Sequence, residues 1–378
     1  MGTPTSWMLS SDSHIVEPPS LFVERIERRW REHAPRVVEE DGVDWWVVGD
    51  ETAVPAINPS RAGDRFDDKS SRRHRLKFED GVRPGGYEPD AWVRDNEADG
   101  VYGGVLFPSL SLVFYGIESP PLLSAVCRVF TDWVIEFASA FPERLRAIAM
   151  INLDDVDEAV TELERARKAG AAGALIPVLP PADRPYDGPE YERFWAAAQA
   201  LEMPLNLHVA TNRTPGEWKA LYNLSRHVSA PDYWVRTALG DLILSGVFER
   251  YPRLRVGSVE NEAGWAAYWL RRMDHLFKES LDFEDIRPKF KNGALPSDFF
   301  HRNIFLCFAE DEVAIANRDL IGVENLMWGN DYPHGESTFP QSREIVARQL
   351  AGVSEAERRA LTASNLADLY GFEIPEGD

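Results

Sequence analysis

The chain has 378 residues, of which 44% are hydrophobic, enough to bury the core of one large domain or two ordinary ones. Its 41 basic residues are outnumbered by 62 acidic residues, and the formal net charge is -21 at pH 7. A surface this acidic repels nucleic acid and anionic membranes, so neither is expected as a partner. The expected partner is a small-molecule substrate.

Compartment signals in the sequence are few. No stretch approaches the roughly 18 uncharged apolar residues that a membrane helix requires. The first nine residues have no basic cluster before an apolar run, which predicts no secretory signal. The two cysteines, Cys127 and Cys307, stand in apolar contexts typical of buried thiols in a reducing compartment. We therefore expect a cytoplasmic protein.

From about residue 100 onward, short β-branched runs alternate with segments that show helical spacing. The predicted strands are the run that ends at Asp12 and residues 104–108, 145–151, 174–178, 205–209, 255–260, 304–308 and 326–329. The predicted helices between them include residues 154–169, 194–201, 263–277 and 313–320. Asp154 or Asp155 can cap the first of these helices, and Gly170 can end it.

This alternation predicts parallel strands joined by helical crossovers. Eight such units favour an α/β fold of the (β/α)8 TIM-barrel type over an open doubly wound sheet. No Gly-x-Gly-x-x-Gly turn follows a strand and no Walker-type loop occurs, so nucleotide binding is not expected. We predict one barrel domain over residues 1–378, with an insertion at 17–100 after the first strand.

The predicted insertion does not follow the alternation. Residues 20–33 predict a helix, and residues 45–48 predict one arm of a small hairpin. Residues 58–75 are polar and basic, which is typical of a lid or an oligomer arm over the barrel mouth, or of a plain surface loop. Four arginines of this segment could bind a substrate carboxylate, or they could simply be solvated. They are Arg61, Arg65, Arg72 and Arg73.

Chemically active side chains occur at the ends of four predicted strands. Because active sites of such barrels lie at the carboxyl ends of the strands, these side chains are expected to meet around one axis. They are Asp12 and His14, then His208, then Glu260, and finally Asp331 with His334. Three of the 8 histidines fall at these ends. Imidazoles with carboxylates suit Zn2+, Mn2+ or Fe2+ better than Ca2+ or Mg2+.

These motifs resemble the amidohydrolase superfamily. The resemblance rests on Asp12-x-His14, on His208 and on the run Gly-x-Asp331-Tyr-Pro-His334. The run from Arg94 to Pro108 and the run from Phe194 to His208 are similar to one branch of that superfamily. That branch contains aminocarboxymuconate semialdehyde decarboxylase and γ-resorcylate decarboxylase.

The resemblance implies a divalent metal held by Asp12, His14, His208 and Asp331. Zinc is the expected ion, with manganese or iron as alternatives. The implied activity is that of a hydrolase or a non-oxidative decarboxylase. It would act on a small carboxylated or aromatic substrate, through a metal-bound water or a metal-bound substrate carboxylate. In hydrolysis Asp331 is expected to move the proton, and in decarboxylation Asp331 or Glu260 is expected to supply it. Relatives of this kind also imply a homo-oligomer, a dimer or larger.

One position departs from the branch, whose decarboxylases place a proton-handling histidine where this chain has Glu260. Glu260 can act as a general acid or base, ligate a metal, or only orient a neighbour. Together, Glu17, Glu260 and His334 could form a second metal position. Glu17 could instead stabilise a helix start, and His334 could hydrogen-bond a ligand carboxylate.

Two further functions remain open at this stage. A second metal would make the chain a dinuclear iron or mixed-metal oxygenase on the same scaffold. The chain could also be a non-catalytic partner subunit, although keeping Asp12, His14, His208 and Asp331 together argues against an inactive site.

Overall fold

The computed structural model of the chain describes residues 7–48, 51–56, 60–66, 77–280 and 288–375. Most of the polar segment at 58–75 therefore lies outside the described residues, including Arg72 and Arg73. Arg61 and Arg65 lie within them.

The strands of the described residues are β1 (Met8–Ile15), β2 (Arg36–Glu40), β3 (Val43–Val48), β4 (Glu51–Pro55), β5 (Val101–Pro108), β6 (Leu145–Met150), β7 (Gly173–Ile176), β8 (Leu205–His208), β9 (Val256–Val259), β10 (Ile304–Phe308) and β11 (Leu326–Trp328). β1 and β5 to β11 form one parallel sheet of eight strands, in the order in which they follow one another along the chain.

Backbone hydrogen bonds beyond the end of β11 bring the last strand back to the first. The Asp331 N–H donates to the carbonyl of Asp12 over 2.8 Å, and the His14 N–H donates to the carbonyl of Tyr332 over 2.6 Å. Together with the helices between the strands, this closure confirms the predicted (β/α)8 barrel.

The α-helices are α1 (Leu21–Arg25), α2 (Phe78–Gly81), α3 (Pro89–Asp99), α4 (Pro120–Ala138), α5 (Val156–Ala169), α6 (Glu192–Ala200), α7 (Leu224–His227), α8 (Ala230–Leu244), α9 (Val247–Arg250), α10 (Trp265–Glu279), α11 (Pro296–Asn303), α12 (Glu312–Ala316), α13 (Arg318–Ile321), α14 (Ser342–Gln349), α15 (Glu355–Arg359) and α16 (Asn365–Tyr370). Within the described ranges, none of these helices is both long enough and apolar enough to cross a bilayer.

The sequence signals around α5 act as predicted. The Asp155 carboxylate accepts hydrogen bonds from the N–H groups of Asp157 and Glu158, so it satisfies donors that the first helical turn leaves free. At the other end, Gly170 adopts a φ of 114°, a left-handed conformation that costs glycine little.

The described part of the insertion differs from the predictions in two respects. The helix predicted at 20–33 is wrong. α1 ends at Arg25 because Ile26 is extended, with a ψ of 151°, and a short 3-10 turn at Arg28–Trp30 follows. β2, β3 and β4 form a three-stranded antiparallel sheet, one strand more than a hairpin. Its first turn has positive φ at Asp41 and Gly42, which is typical of a tight hairpin turn.

Candidate metal centre

The carboxyl end of β1 provides the first two side chains of the site. Asp12 and His14 are two residues apart on one strand, so their side chains lie on the same side of it. Asp12 Oδ1 lies 3.2 Å from His14 Nε2. The barrel closure brings Asp331 to the same place, with Oδ1 also 3.2 Å from His14 Nε2. All three side chains are buried.

His208 and Glu260 reach this cluster from β8 and from the residue after β9. The Nε2 atom of His208 lies 3.5 Å from Asp12 Oδ1 and 3.3 Å from Glu260 Oε2. Glu260 Oε2 is also 3.6 Å from His14 Nε2. Glu260 differs from the others in exposure, since its side chain is 36% exposed whereas that of Asp12 is 7% exposed.

Backbone carbonyls orient both imidazoles. His14 Nδ1 lies 2.8 Å from the carbonyl oxygen of Pro108, and His208 Nδ1 lies 3.0 Å from that of Val209. Because a carbonyl oxygen can only accept, each Nδ1 carries the proton. Both Nε2 atoms therefore direct a lone pair into the cluster when the rings are neutral, which is the tautomer that a metal ligand requires.

Four buried atoms of this cluster have no hydrogen-bond partner among the described residues: Asp12 Oδ1, His14 Nε2, His208 Nε2 and Asp331 Oδ1. Buried polar atoms without hydrogen-bond partners are rare, and a bound cation would satisfy such lone pairs. Ligand atoms at about 2.1 Å from one ion lie roughly 3.0–3.4 Å apart, close to the spacing seen here. The residues therefore fit a divalent metal.

The electrostatics of the cluster also favour a positive charge at its centre. Burial alone would raise the pKa of Asp12, but His14 and His208 lower it far below its usual range. Burial alone would lower the pKa of His14, but Asp12, Asp331 and Glu260 raise it well above its usual value. Both shifts favour a cation among the carboxylates, as a proton or a metal.

The possible ligands fall into two overlapping groups. One contains Asp12, His14, His208 and Glu260, and the other contains His14, Glu260, Asp331 and His334. The atoms of each group lie within 4.8 Å of one another. The four ligands that the resemblance implied are thus divided: Asp12 and His208 belong only to the first group and Asp331 only to the second. His14 and Glu260 belong to both groups.

His334 contacts the cluster from the side of Asp331. Its Nδ1 atom lies 2.8 Å from Asp331 Oδ1, and its ring stacks on His14 with centroids 3.7 Å apart. The Nε2 atom of His334 lies 3.1 Å from the hydroxyl of Ser109. Sequence reasoning missed Ser109, although it follows directly after β5 and so stands at a strand end like the other site residues.

The structure does not bring Glu17 into either group. Its carboxylate is buried and accepts hydrogen bonds from the N–H groups of Leu110 (3.0 Å) and Ser111 (2.9 Å). Glu17 therefore supports the turn after β5, which carries residues of the cavity wall.

Several residues at the strand ends adopt backbone conformations that are unusual for non-glycine residues. The φ angles are 69° at Ala210, 54° at Glu260, 52° at Glu262 and 54° at Asp331. Such conformations are costly and persist where the surrounding structure enforces them, often at functional sites. Here they occur after three strands whose ends border the cluster.

Glu262, two residues after Glu260, also lines the cavity. Burial, with a further contribution from Asp311, raises the pKa of Glu262 to about 7. A hydrogen bond from the Ala309 N–H only partly opposes this.

The cluster lies in a cavity of about 1070 Å3. The insertion contributes Arg61, Asp64 and Arg65 to its lining. The Arg65 guanidinium is engaged, lying 2.5 Å from Glu310 Oε1 and donating to the carbonyl of Glu336 over 2.7 Å. Arg61 differs, because its buried Nε has no hydrogen-bond partner among the described residues. Of these two arginines, Arg61 is therefore the one that can receive an anionic group in the cavity.

Comparison with known proteins agrees with this fold. The model of the amidohydrolase family known as Amidohydro_2 matches residues 81–372. A γ-resorcylate decarboxylase of Rhodococcus jostii strain RHA1 is 28% identical over 270 residues, covering 66% of this chain and 77% of that protein.

Two solved structures have the same fold. An amidohydrolase from Mycobacterium avium subsp. paratuberculosis K-10 has a TM-score of 0.78 at 18% identity, covering 98% of this chain and 100% of that chain. A dihydroxybenzoic acid decarboxylase from Polaromonas sp. JS666, with bound manganese and the inhibitor 2-nitroresorcinol, has a TM-score of 0.67 at 19% identity, covering 98% and 99%.

The barrel and its strand-end cluster define a metal-dependent enzyme, a hydrolase or a carboxy-lyase, whose cofactor is a divalent metal ion. The chain belongs to the amidohydrolase family. The alternative of a non-catalytic partner subunit is thereby not supported.

Proposed function

We propose that this enzyme is a non-oxidative decarboxylase of an aromatic carboxylic acid and that it uses one divalent metal ion. The buried atoms of Asp12, His14, His208 and Asp331 that lack hydrogen-bond partners carry the proposal. Asp12 Oδ1 and Asp331 Oδ1 each lie 3.2 Å from His14 Nε2, and His208 Nε2 lies 3.5 Å from Asp12 Oδ1. The similarity to the γ-resorcylate decarboxylase of Rhodococcus jostii supports decarboxylation over hydrolysis.

Shared ligands support a single ion. His14 belongs to both candidate groups, but its Nδ1 is bound to the carbonyl of Pro108. Only the Nε2 lone pair remains, and one lone pair binds one ion. Glu17 lies outside both groups, so it does not support a second metal ion. Without a second ion, the dinuclear oxygenase has no support either.

The identity of the ion is a finer part of the proposal. Two imidazoles with carboxylates suit zinc, manganese or iron, and the sequence favoured zinc. The bound manganese of the Polaromonas decarboxylase favours manganese instead. When bound, the ion supplies Lewis-acid polarisation of a substrate oxygen.

We assign Asp12, His14, His208 and Asp331 as ligands and Glu260 as the proton carrier. Glu260 is the most exposed carboxylate of the three in the cluster and so the one that a substrate in the cavity can contact. It delivers a proton to the ring carbon that carries the carboxylate. A C–H bond forms there, the C–C bond to the carboxylate breaks, and carbon dioxide leaves. Glu260 regains its proton from solvent.

His334 and Ser109 hold Asp331 in place during this reaction. The His334 ring lies between the Asp331 carboxylate and the Ser109 hydroxyl, and all three residues are buried. Their contacts restrict the orientation of Asp331, as partners of metal ligands commonly do.

The test is carbon dioxide release from 2,6-dihydroxybenzoate by manganese-loaded and zinc-loaded protein, with elemental analysis of the purified chain. We expect about one ion per chain, and activity that depends on it. Glu260→Gln should retain the ion and lose roughly 10²- to 10⁴-fold in kcat. His208→Ala should lose the ion, whereas His275→Ala, a change at an exposed histidine of α10, should retain it.

Other outcomes would contradict the proposal. Activity on lactones or amides without carbon dioxide release from any aromatic acid would establish a hydrolase. Two irons per chain with oxygen consumption would establish the oxygenase. Loss of the ion in Glu260→Gln would make Glu260 a ligand rather than the proton carrier.

Assembly and compartment are also proposals. Tyr268, Val313 and Leu320 are large apolar residues on α10, α12 and α13, and they are 70%, 59% and 52% exposed. Exposed apolar side chains on neighbouring helices support a homo-oligomer.

The buried free thiols of Cys127 and Cys307 support a cytoplasmic location. The contacts of Arg65 with Glu310 and Glu336 support the insertion as a cover for the barrel mouth.

A further inference from the structure

The cavity is larger than a single-ring acid requires. Its volume of about 1070 Å3 slightly exceeds the range of about 300–1000 Å3 found for pockets that hold drug-sized ligands. A ring whose carboxylate reaches the cluster at the strand ends would occupy only a part of it. The remaining space lies among the loops that surround the barrel mouth.

The loops around this remaining space present apolar side chains. Three elements contribute them: the turn after β5, the segment between β8 and α8, and the start of α10. The residues are Leu110, Leu112, Val113, Leu221, Val228 and Trp265. The only polar atom of the Trp265 side chain is already engaged, since Nε1 donates to the carbonyls of Asn261 and Glu262.

The charges of the cavity limit where a second anionic group could bind. Acidic residues outnumber arginines among the lining residues, and Arg65 is already paired with Glu310. A carboxylate can be neutralised at the cluster or by Arg61, but an anion elsewhere in the cavity would face carboxylates. The part of a substrate that fills the remaining space is therefore uncharged.

Part of the apolar wall is exposed to solvent. Val228 is 76% exposed although it lines the cavity. An apolar side chain that stays exposed at the rim of a binding cavity gains free energy when an apolar group covers it.

We propose that the substrate is an aromatic monocarboxylic acid with an apolar extension, such as an alkyl chain, that lies against Leu112, Val113, Leu221 and Val228. The proposal rests on the proposed function only for the placement of the carboxylate. It adds that the enzyme prefers substrates larger than a simple dihydroxybenzoate.

The test measures binding rather than turnover, so its result does not depend on the decarboxylation assay. Benzoate and a series of 4-alkylbenzoates from methyl to hexyl are titrated calorimetrically into manganese-loaded protein. We expect Kd to fall about fourfold for each methylene group that is buried, because each contributes about 0.8 kcal/mol. The heat capacity change should become more negative along the series. A Kd that does not change with chain length would overturn the proposal.

Two matched variants test where in the cavity the alkyl chain binds. Val228→Asp should flatten the dependence of Kd on chain length, because it places a charge in the apolar wall. Leu224→Asp adds the same charge four residues away on α7, where the side chain is 82% exposed and does not line the cavity. It should keep the wild-type dependence. Equal effects of the two variants would place the alkyl chain elsewhere and reject this assignment of the wall.

Discussion

The hydroxyl of Ser10 donates a hydrogen bond to Oδ1 of Asn330 over 2.9 Å, although 320 positions separate the two residues. Ser13 donates to the same oxygen over 3.0 Å, and Asn330 Nδ2 donates to Asn96 Oδ1 over 2.8 Å. All four side chains are buried. Because Asn330 immediately precedes Asp331, this network joins the first strand of the barrel to the last one where the metal centre forms.

Removal of the Asn330 side chain should therefore reduce stability. Asn330→Ala removes the acceptor that Ser10 and Ser13 share and the donor to Asn96 Oδ1, at a cost of about 1–3 kcal/mol in the free energy of unfolding. Urea unfolding of Ser10→Ala, Asn330→Ala and the double variant measures the coupling. We expect a coupling of at least 0.5 kcal/mol, as for residues of one network. Additive effects would show that the two residues act independently.

The alternation of strands and helices was sufficient to place Asp12, His14, His208 and Asp331 near one another. The reason is that the ends of parallel strands meet at one face of a barrel. The alternation could not place Glu17, because the orientation of its carboxylate depends on the N–H groups of a turn more than 90 residues away. Nor could it distinguish Arg61 from Arg65, since both stand in one polar segment and only their contacts across the cavity differ.

Local sequence patterns predicted the wrong secondary structure where a segment has few tertiary contacts. Residues 20–33 carry helical spacing, but the segment between α1 and β2 buries few side chains, and only Ile26, Ala34 and Pro35 of residues 26–35 are buried. A short amphipathic stretch without packing partners does not retain a long helix.

Asp99 at the end of α3 should make stability depend on pH. Burial raises its pKa from 3.8 to about 6, despite hydrogen bonds from the N–H and hydroxyl of Ser342. Between these two values the folded state holds a proton that the unfolded state has released. The contribution of Asp99 to stability is therefore greatest below pH 4, falls as the pH rises to about 6, and is constant above that value.

Comparison of wild type with Asp99→Asn isolates this contribution. The difference in their urea unfolding free energies should change between about pH 4 and about pH 6, with the wild type losing stability relative to the variant as the pH rises. Asp319→Asn, at an exposed position of α13, is the control and should show no such change. A difference that stays constant across this range would show that the Asp99 carboxyl titrates normally.

The final prediction concerns Arg61 and Arg65, the two described arginines of the segment at 58–75, which lie four residues apart and both line the cavity. Arg61 has a buried Nε without a partner among the described residues, whereas Arg65 is held by Glu310 and the carbonyl of Glu336. If Arg61 receives the substrate carboxylate, Arg61→Gln removes a charge-assisted hydrogen bond worth about 1.5–3 kcal/mol. KM for an aromatic acid, and Kd for benzoate, should then rise roughly 10- to 100-fold. The metal content should not change, because Arg61 is not among the candidate ligands.

The control is Arg65→Gln. It should raise KM and Kd much less, since the Arg65 guanidinium already has partners in the free protein. A larger effect for Arg65→Gln than for Arg61→Gln would mean that the pair with Glu310 opens on binding and that Arg65 holds the carboxylate.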